Sequence, residues 1–235
     1  MVKRAMILAA GFGKRINPLT LKKPKPLLKI GNETLLSNTI KFLESFGAEL
    51  IVINVHYLSE QIIEYIKKNK FNADIKIIKE EDQILDTGGA LLNVIKYFSK
   101  EPFITINPDT IWSKDYLKEL KSMENFFLEN EKIKSVLLLA KKEKSFDKDF
   151  VGDFNLNDNI INKENKKHLE YIYTGLQIIK PEILLNFNKK VFSINEIWNQ
   201  LIKKNELFGI ESKNEFLHVS KLEVYKNLLK KLNIE

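Results

Sequence analysis

The chain has 235 residues, 44% hydrophobic and 29% charged, so it can bury a substantial core and does not have the composition of a disordered protein. It contains no cysteine, which excludes disulfides, thiolate metal sites and cysteine nucleophiles and favours a reducing, cytoplasmic location. The net charge of +7 is spread thinly, so we predict no nucleic-acid partner, although the same excess would serve a phosphate-rich small substrate.

Membrane insertion is not predicted either. No stretch approaches the roughly 18 apolar residues that a transmembrane helix needs. The apolar run Ala5–Ala10, which follows Lys3 and Arg4, is too short for the hydrophobic part of a signal peptide. The sequence therefore predicts a soluble protein.

The first half of the sequence alternates short apolar runs with helical periodicity. Strands are predicted at Ala5–Ala9, Leu50–Val55, Ile75–Ile78 and Phe103–Ile106. Helices are predicted at Glu33–Phe46, which Gly47 would end, and at Ser59–Lys67 and Gly89–Tyr97. This alternation predicts an α/β fold, with a mostly parallel sheet that helices cover on both faces.

The second half is less regular. Strands are predicted at Ser135–Leu139 and at Tyr171–Ile179, the second ending before Pro181, and the Asn-rich segment Phe150–Lys167 reads as a hairpin with loops. Ser193 and Glu196 form a predicted capping box for a helix over Ser193–Asn205, and Ser220 with Glu223 predicts the same device at the last helix. Since no linker rich in Gly, Pro or Ser interrupts the chain, one domain is favoured.

A glycine loop follows the first predicted strand. Gly11 and Gly13 would let backbone amides approach phosphate oxygens, and Arg15 adds a planar cation that matches phosphate geometry. A dinucleotide fingerprint would need a third glycine where Ile16 stands, and the spacing of a P-loop is absent. A tight turn without a ligand is the alternative interpretation.

Two lysines at the end of this loop each precede a proline. Proline disfavours the α conformation of the residue before it, so Lys23 and Lys25 are predicted in an extended segment, projecting to the same side. A stiff backbone would reduce the entropy that Lys25 loses on meeting an anion. A solvated basic loop is the alternative.

The segments LAAGFGKR, PLT and KPKPLL together resemble the signature of the sugar-nucleotide pyrophosphorylase superfamily. Further segments in the order of that family are IVINVHYLSEQI, LDTGGALL, FITINPDTIW, VGDF, YTGLQIIKPEI and FSINEIW. The chain is most similar to short bacterial members without a C-terminal β-helix, typified by N-acetylmuramate-1-phosphate uridylyltransferase and mannose-1-phosphate guanylyltransferase-like proteins.

The resemblance implies a Rossmann-like, mixed sheet of the nucleotide-diphospho-sugar transferase type, in one domain over residues 1–235. Residues 1–112 would be the nucleotide-binding half and residues 113–235 the sugar-binding half. The implied reaction joins a nucleoside triphosphate to a sugar 1-phosphate and releases pyrophosphate, with Mg²⁺ as cofactor. LDTGGALL favours UTP with N-acetylmuramate 1-phosphate. GTP with mannose 1-phosphate, CTP with an aminoalcohol phosphate, and a non-catalytic nucleotide-sugar-binding regulatory homologue stay open, as does the oligomeric state.

The resemblance also implies site residues. Asp109 follows the strand Phe103–Ile106, near the carboxyl edge where open α/β sheets bind ligands, and would hold Mg²⁺. The implied catalytic residues are Arg15, Lys25 and Asp109. The implied nucleotide-binding residues are Leu8, Ala9, Ala10, Gly11, Gly13, Gln83 and Gly88. The implied sugar-binding residues are Asn107, Gly152, Glu164, Thr174 and Gly175.

Two positions depart from the family pattern. Pro108 stands where the family commonly has a small residue, so a backbone donor next to Asp109 is lost. His218 takes the place of a second metal-binding aspartate, and imidazole is a poor ligand for Mg²⁺ beside carboxylate. His218 as a direct ligand is therefore the weaker alternative to contact with phosphate, or to a metal held by Asp109, substrate oxygens and water.

Overall fold

The computed structural model describes residues 1–234, which form a nine-stranded sheet, a separate two-stranded sheet and six α-helices. The strands are β1 (Arg4–Leu8), β2 (Lys29–Ile30), β3 (Glu33–Thr34), β4 (Leu50–Val55), β5 (Asp74–Lys79), β6 (Phe103–Ile106), β7 (Ser135–Lys141), β8 (Asn155–Asn157), β9 (Ile160–Asn162), β10 (Tyr171–Ile179) and β11 (Phe208–Ser212). The helices are α1 (Leu35–Phe46), α2 (Ser59–Lys68), α3 (Asp86–Val94), α4 (Tyr116–Glu129), α5 (Ile194–Lys203) and α6 (Leu222–Lys231).

The main sheet has the strand order β5-β4-β1-β6-β10-β7-β11-β9-β8. The first four strands in that order are mutually parallel, whereas β10 runs antiparallel to both of its neighbours, β6 and β7. Strand β11 is parallel to β7, and β8 pairs with β9 as the hairpin expected in the Asn-rich segment. The predicted mixed, mostly parallel sheet is confirmed.

Alternate residues of the strands supply the two faces of the core. Ala5 and Ile7 of β1 pack in one buried cluster with α1, α2 and α4, and Met6 packs in a second cluster with α3 and α5. This is the period-two alternation of a strand buried on both sides. The prediction of helices on both faces is therefore confirmed. No helix in the described part of the chain is both long and apolar enough to span a membrane.

Helix α1 begins two residues later than the sequence suggests. Thr34 caps it by accepting a 3.0 Å hydrogen bond from the Ser37 amide, and the Ser37 hydroxyl accepts one from the Thr34 amide at 2.9 Å. The residues before this cap pair as the short hairpin of β2 and β3. The helix ends at Gly47, whose φ of 105° is the left-handed stop that was predicted.

The two predicted capping boxes are wrong in different ways. Ser193 caps α5 through the Asn195 amide, but Glu196 pairs instead with Lys189 at 2.7 Å. Ser220 does not cap the last helix, because its hydroxyl donates to the buried carboxylate of Asp147. The N-cap of helix α6 is instead Lys221, one residue further along the chain.

Besides the hairpin of β2 and β3, two further elements were not predicted. Helix α4 buries Tyr116, Leu120, Met123 and Phe127 on one face, and β11 inserts between β7 and β9. Helix α3 also begins earlier and ends earlier than the predicted Gly89–Tyr97, since the last residues of that range form a 3-10 turn. Its first turn therefore lies closer to the carboxyl edge of the sheet.

Candidate functional site

A cavity of about 400 Å³ opens at the carboxyl ends of the parallel strands. Its walls come from the segment after β1, from the ends of β4 and β5, from the start of α3 and from the loop after β6. Nine of the predicted site residues line it: Leu8, Ala9, Ala10, Gly11, Gly13, Arg15, Lys25, Asn107 and Asp109. The structure therefore brings the three predicted catalytic residues to one cavity.

The glycine loop folds back on itself in three short 3-10 turns. Gly13 has a φ of 64° and starts the first of them, a conformation that favours glycine. A Cβ added at Gly13 would lie 3.0 Å from Thr20 Cγ2 and 3.1 Å from Lys25 Cβ, so the start and the end of the loop touch at this point. The Thr20 hydroxyl donates to the Gly13 carbonyl at 2.9 Å and fixes the fold of the loop.

The predicted extended segment around Lys25 is wrong. Pro24 is extended, but Lys25–Leu27 forms a 3-10 turn in which the Leu28 amide donates to the Lys25 carbonyl at 3.0 Å. Burial of Leu27 and Leu28 outweighs the preference that the prolines impose. As a result the Lys25 side chain is only 13% exposed, whereas Lys23 lies in a bend and is exposed.

Lys25 and Asp109, which line this cavity, form one polar cluster with His218. Lys25 Nζ lies 2.5 Å from Asp109 Oδ2, and His218 Nε2 lies 3.2 Å from the same oxygen. Burial acts to raise the pKa of Asp109, but the charges and hydrogen bonds of Lys25 and His218 outweigh it and hold the pKa well below its ordinary value. Asp109 is therefore an anion at neutral pH.

The backbone explains how His218 reaches this cluster. The Ile111 amide donates to the Leu217 carbonyl and the Val219 amide to the Asp109 carbonyl, both at 2.8 Å, so the segment before α6 pairs with the loop after β6. The His218 ring stacks on Phe216 at 5.5 Å between centroids. With Nε2 beside Asp109, the nitrogen left over is Nδ1, which is buried and has no hydrogen-bond partner in the protein.

One carboxylate oxygen of the cluster is available to a metal ion. Asp109 Oδ1 is buried and accepts no hydrogen bond from the protein. Within residues 1–234 no three or more His, Asp or Glu side chains are grouped closely enough to hold a metal by themselves. This arrangement fits Mg²⁺, which takes one or two protein carboxylates and completes its shell with phosphate oxygens and water.

Two buried polar residues on the other side of the cavity were missed by sequence reasoning. Asn54 and Glu80 are each 3% exposed and stand at the ends of β4 and β5. Their signal was available, because Asn54 is the next-to-last residue of the predicted strand Leu50–Val55 and Glu80 directly follows β5, at the edge where ligands bind. Of the predicted base contacts, Gln83 is exposed and outside the cavity wall, and the Gly88 amide already donates to the Phe192 carbonyl at 2.9 Å.

Most of the predicted sugar-binding residues are engaged within the protein or lie away from the cavity. The Thr174 hydroxyl donates to the Leu138 carbonyl at 2.9 Å, and the Gly175 carbonyl accepts from the Asn107 amide at 2.8 Å. Gly152 is buried, with 2.3 Å between an added Cβ and the Leu169 carbonyl oxygen, and Glu164 is exposed in the loop after β9. Apart from Asn107, these residues do not line the cavity.

Two charged side chains missed by the sequence analysis lie in this half. Asp153 accepts a 2.9 Å hydrogen bond from the Tyr173 amide; desolvation raises its pKa, against that bond and the charges of Lys163 and His218. Desolvation likewise lowers the pKa of Lys163, which lies 4.9 Å above the Phe154 ring. Asp153 is thus within electrostatic reach of the Asp109 cluster. Its place next to the predicted Gly152 was the available signal.

A family model described as Nucleotidyl transferase matches residues 4–148, which include the glycine loop, Lys25 and Asp109. An N-acetylmuramate alpha-1-phosphate uridylyltransferase from Caulobacter vibrioides is 27% identical over 222 residues, 92% of this chain and 91% of that protein. The mannose-1-phosphate guanylyltransferase catalytic subunit beta from Drosophila melanogaster is 28% identical over 213 residues. That alignment covers 88% of this chain but only 57% of the relative.

The fold recurs in solved structures. The crystal structure of HddC from Yersinia pseudotuberculosis complexed with GMP-PN superimposes with a TM-score of 0.77, covering 98% of this chain and 99% of that one. The sequence identity is 23%, so this likeness bears on the fold.

Proposed function

Because the chain belongs to the nucleotidyl transferase family, we propose that it transfers a nucleoside monophosphate from a nucleoside triphosphate to a sugar 1-phosphate and releases pyrophosphate. One observation carries the proposal: the glycine loop and two members of the Lys25–Asp109–His218 cluster, Lys25 and Asp109, line a single cavity. A triphosphate bound by the loop would lie with its phosphates beside that cluster.

In the proposed reaction an oxygen of the sugar phosphate forms a bond to the α-phosphorus. The bond from that phosphorus to the oxygen bridging the α- and β-phosphates breaks, and pyrophosphate leaves with the electron pair. Such a displacement needs positioning and neutralisation of charge more than covalent chemistry. Gly11, Gly13 and Arg15 bind the triphosphate in this proposal, and Lys25 meets the phosphates at the reacting centre.

Asp109 is the proposed residue for Mg²⁺, through its free Oδ1. When bound, Mg²⁺ would supply positive charge to the phosphate oxygens and help to orient them. Lys25 already occupies the other carboxylate oxygen, and this contact keeps Asp109 ionised and in place. His218 contributes through the same oxygen and is not needed as a metal ligand.

The substrates remain the finer part of the proposal. UTP with N-acetylmuramate 1-phosphate is favoured, because the uridylyltransferase named above aligns over nearly its whole length. GTP with mannose 1-phosphate is the second candidate, because the guanylyltransferase is equally similar over the part that aligns. Residues 1–112 are proposed as the nucleotide-binding half of one domain and the remainder as the sugar-binding half. The cytoplasmic location stays a prediction.

The experiment is a pyrophosphate-release assay with Mg²⁺, each of the four nucleoside triphosphates, and N-acetylmuramate 1-phosphate, mannose 1-phosphate or glucose 1-phosphate. We expect release with at least one pair and none when either substrate is omitted. Measurable nucleotide binding without release for any pair would instead favour the non-catalytic regulatory homologue. Thermal shifts with each triphosphate rank the bases independently of turnover, since a ligand that binds the native state raises its stability.

A further inference from the structure

A chain of hydrogen bonds crosses the carboxyl ends of three neighbouring strands. The Ala9 amide, just after β1, donates to Asn54 Oδ1 at 3.0 Å. Asn54 Nδ2, near the end of β4, donates to Glu80 Oε1 at 2.7 Å, and Glu80 follows β5. The second carboxylate oxygen, Oε2, accepts a 2.8 Å bond from the Leu85 amide, just before α3. The chain thus joins the backbone after β1 to the backbone before α3, and both segments contribute residues that line the cavity.

The bonding pattern allows only one arrangement of these side chains. Both ends of the chain are backbone N–H groups, which can only donate. Asn54 offers one acceptor and one donor group, so its oxygen must face Ala9 and its nitrogen must face residue 80. Residue 80 then has to accept on both sides, which an ionised carboxylate does and an amide does not.

The contacts also indicate that Glu80 does not bind a ligand directly. Both of its carboxylate oxygens are already engaged, and the side chain is buried. None of the ion pairs within residues 1–234 includes it, so its charge is balanced by hydrogen bonds alone. An ionised group is buried in this way only when its hydrogen bonds are well satisfied. Its contribution is therefore to hold Ala9 and Leu85.

We infer that Asn54 and Glu80 are positioning residues that set the width of the nucleobase end of the cavity by fixing the backbone at Ala9 and Leu85. The inference rests on the proposed function and adds to it that the base lies between these two segments while the phosphates lie along the glycine loop. The neighbouring residues Ala10 and Ile84 both line the cavity.

The test exchanges the two side-chain types. Glu80→Gln leaves two donors facing each other whichever way either amide turns, so a buried bond is lost. The double variant Asn54→Asp with Glu80→Gln restores every bond, because the acid and the amide have only changed places. Glu81→Gln is the matched control, since it removes the same charge from an exposed neighbour.

Affinities for UTP, GTP and inorganic tripolyphosphate are measured by calorimetry. Removing a negative charge acts on all three ligands, so the ratio of nucleotide to tripolyphosphate affinity isolates the base end. We expect Glu80→Gln to lower this ratio about tenfold, the scale of one unsatisfied buried donor. The double variant should return it to within about threefold of wild type, and Glu81→Gln should leave it unchanged.

Amide hydrogen exchange in the ligand-free protein provides a second readout that needs no substrate. Exchange at Ala9 and Leu85 should accelerate in Glu80→Gln and slow again in the double variant. An unchanged ratio in Glu80→Gln, or a double variant as impaired as the single one, would overturn the inference. If Glu80→Gln does not fold, the double variant decides alone. If the variants show the expected exchange rates but the wild type binds no nucleotide, the proposed function is refuted and the role of the hydrogen-bond chain in holding the backbone remains supported.

Discussion

The two sides of the site are built from strands that run in opposite directions: the ends of β1, β4, β5 and β6 line the cavity, whereas β10 lies beside it. Strands β1, β4, β5 and β6 all end at the site, so the residues that follow them leave the sheet and are free to turn toward a ligand. Strand β10 is antiparallel to β6 and passes the site midway. Its register with β7 shifts between Tyr173 and Gln177, around Gly175.

This difference decides where chemistry can be placed. A residue just after a strand end, such as Asp109, keeps an unbonded carboxylate oxygen. A residue inside β10, such as Thr174, has its hydroxyl engaged by the neighbouring strand. The reacting centre is therefore expected on the side of the strand ends. On the β10 side the charged groups Asp153 and Lys163 come from loops and are not among the residues that line the cavity.

The largest effect is expected at Asp109. Asp109→Ala removes the free Oδ1 and the partner of Lys25, so turnover should fall by roughly 10²-fold or more, the scale of losing an electrostatic stabiliser. Steady-state pyrophosphate release at saturating substrates measures it. Asp115→Ala, at an exposed position ahead of α4, is the control. Near-normal turnover of Asp109→Ala would show that Asp109 does not belong to the reacting centre.

Lys25→Ala should come next. Lys25 places a cation against Asp109 inside the cavity, whereas Lys23 is exposed outside it. We expect turnover of Lys25→Ala to fall by roughly 10²-fold, with Lys23→Ala within about twofold of wild type. Single-turnover rates separate the chemical step from release of product. Equal losses in both variants would show that only the overall positive charge of the loop matters.

Gly175→Ala tests the contact between β10 and the loop that follows β6. Gly175 has a φ of 92°, and an added Cβ would lie 2.8 Å from Asn107 Cβ. We expect the free energy of unfolding to fall by about 1–3 kcal/mol, from backbone strain and from displacement of Asn107. Urea unfolding measures it, with Gly11→Ala as the control, because a Cβ there meets nothing within 4 Å. Equal stability of Gly175→Ala and Gly11→Ala would mean that β10 and Asn107 adjust to the added Cβ without loss of stability.

The stability of the folded protein should depend on pH through Asp147. Burial acts to raise its pKa, but hydrogen bonds from the Ser220 hydroxyl and the Asp149 amide, with the charge of Lys221, lower it below the ordinary 3.8. Asp147→Asn should therefore lower the free energy of unfolding by about 1–2 kcal/mol at neutral pH.

This advantage of the wild type is fully present above pH 3.8 and is lost as the pH falls through the lowered pKa of folded Asp147. Urea titrations across that range measure it. Asp149→Asn is the control, because its carboxylate is 76% exposed and its pairing with Lys221 is worth little. A gap that persists in strong acid would contradict the assignment.

The smallest effect is expected at Lys163, which lies in a loop on the β10 side of the site. If Lys163 and not the exposed Glu164 faces the acceptor, Lys163→Ala should raise KM for the sugar 1-phosphate about tenfold with little change in kcat. Glu164→Ala should stay within about twofold. The reverse order would restore the sugar-binding role that the sequence implies for Glu164.

The same difference between the two sides of the site explains which features could be predicted from the sequence. The strands and most helices of the first half follow from local periodicity, and Gly13, Arg15, Lys25 and Asp109 meet at one cavity as the motif implies. The fold class was predictable for the same reason. The conformation at Lys25 was not, because burial of Leu27 and Leu28 overrides the local preference of residues before proline.

In the second half, long-range contacts replace local signals. Ser220 looks like a helix cap, but its hydroxyl is taken by Asp147, far away in sequence. His218 reaches Asp109 only through backbone pairing between two loops. Neither partner is visible in a window of neighbouring residues. For Asn54 and Glu80, by contrast, position at strand ends was a usable signal.

The packing of α6 has a consequence for the order in which the protein becomes competent. Ile16, inside the glycine loop, is fully buried in a cluster with Val224 and Leu228 of α6, and the Tyr225 hydroxyl donates to the Lys29 carbonyl. The loop leaves the ribosome before the helix that covers it. A nascent chain in which residues 222–231 have not yet been made therefore exposes Ile16, and we expect the loop to reach its final packing only after α6 has been added.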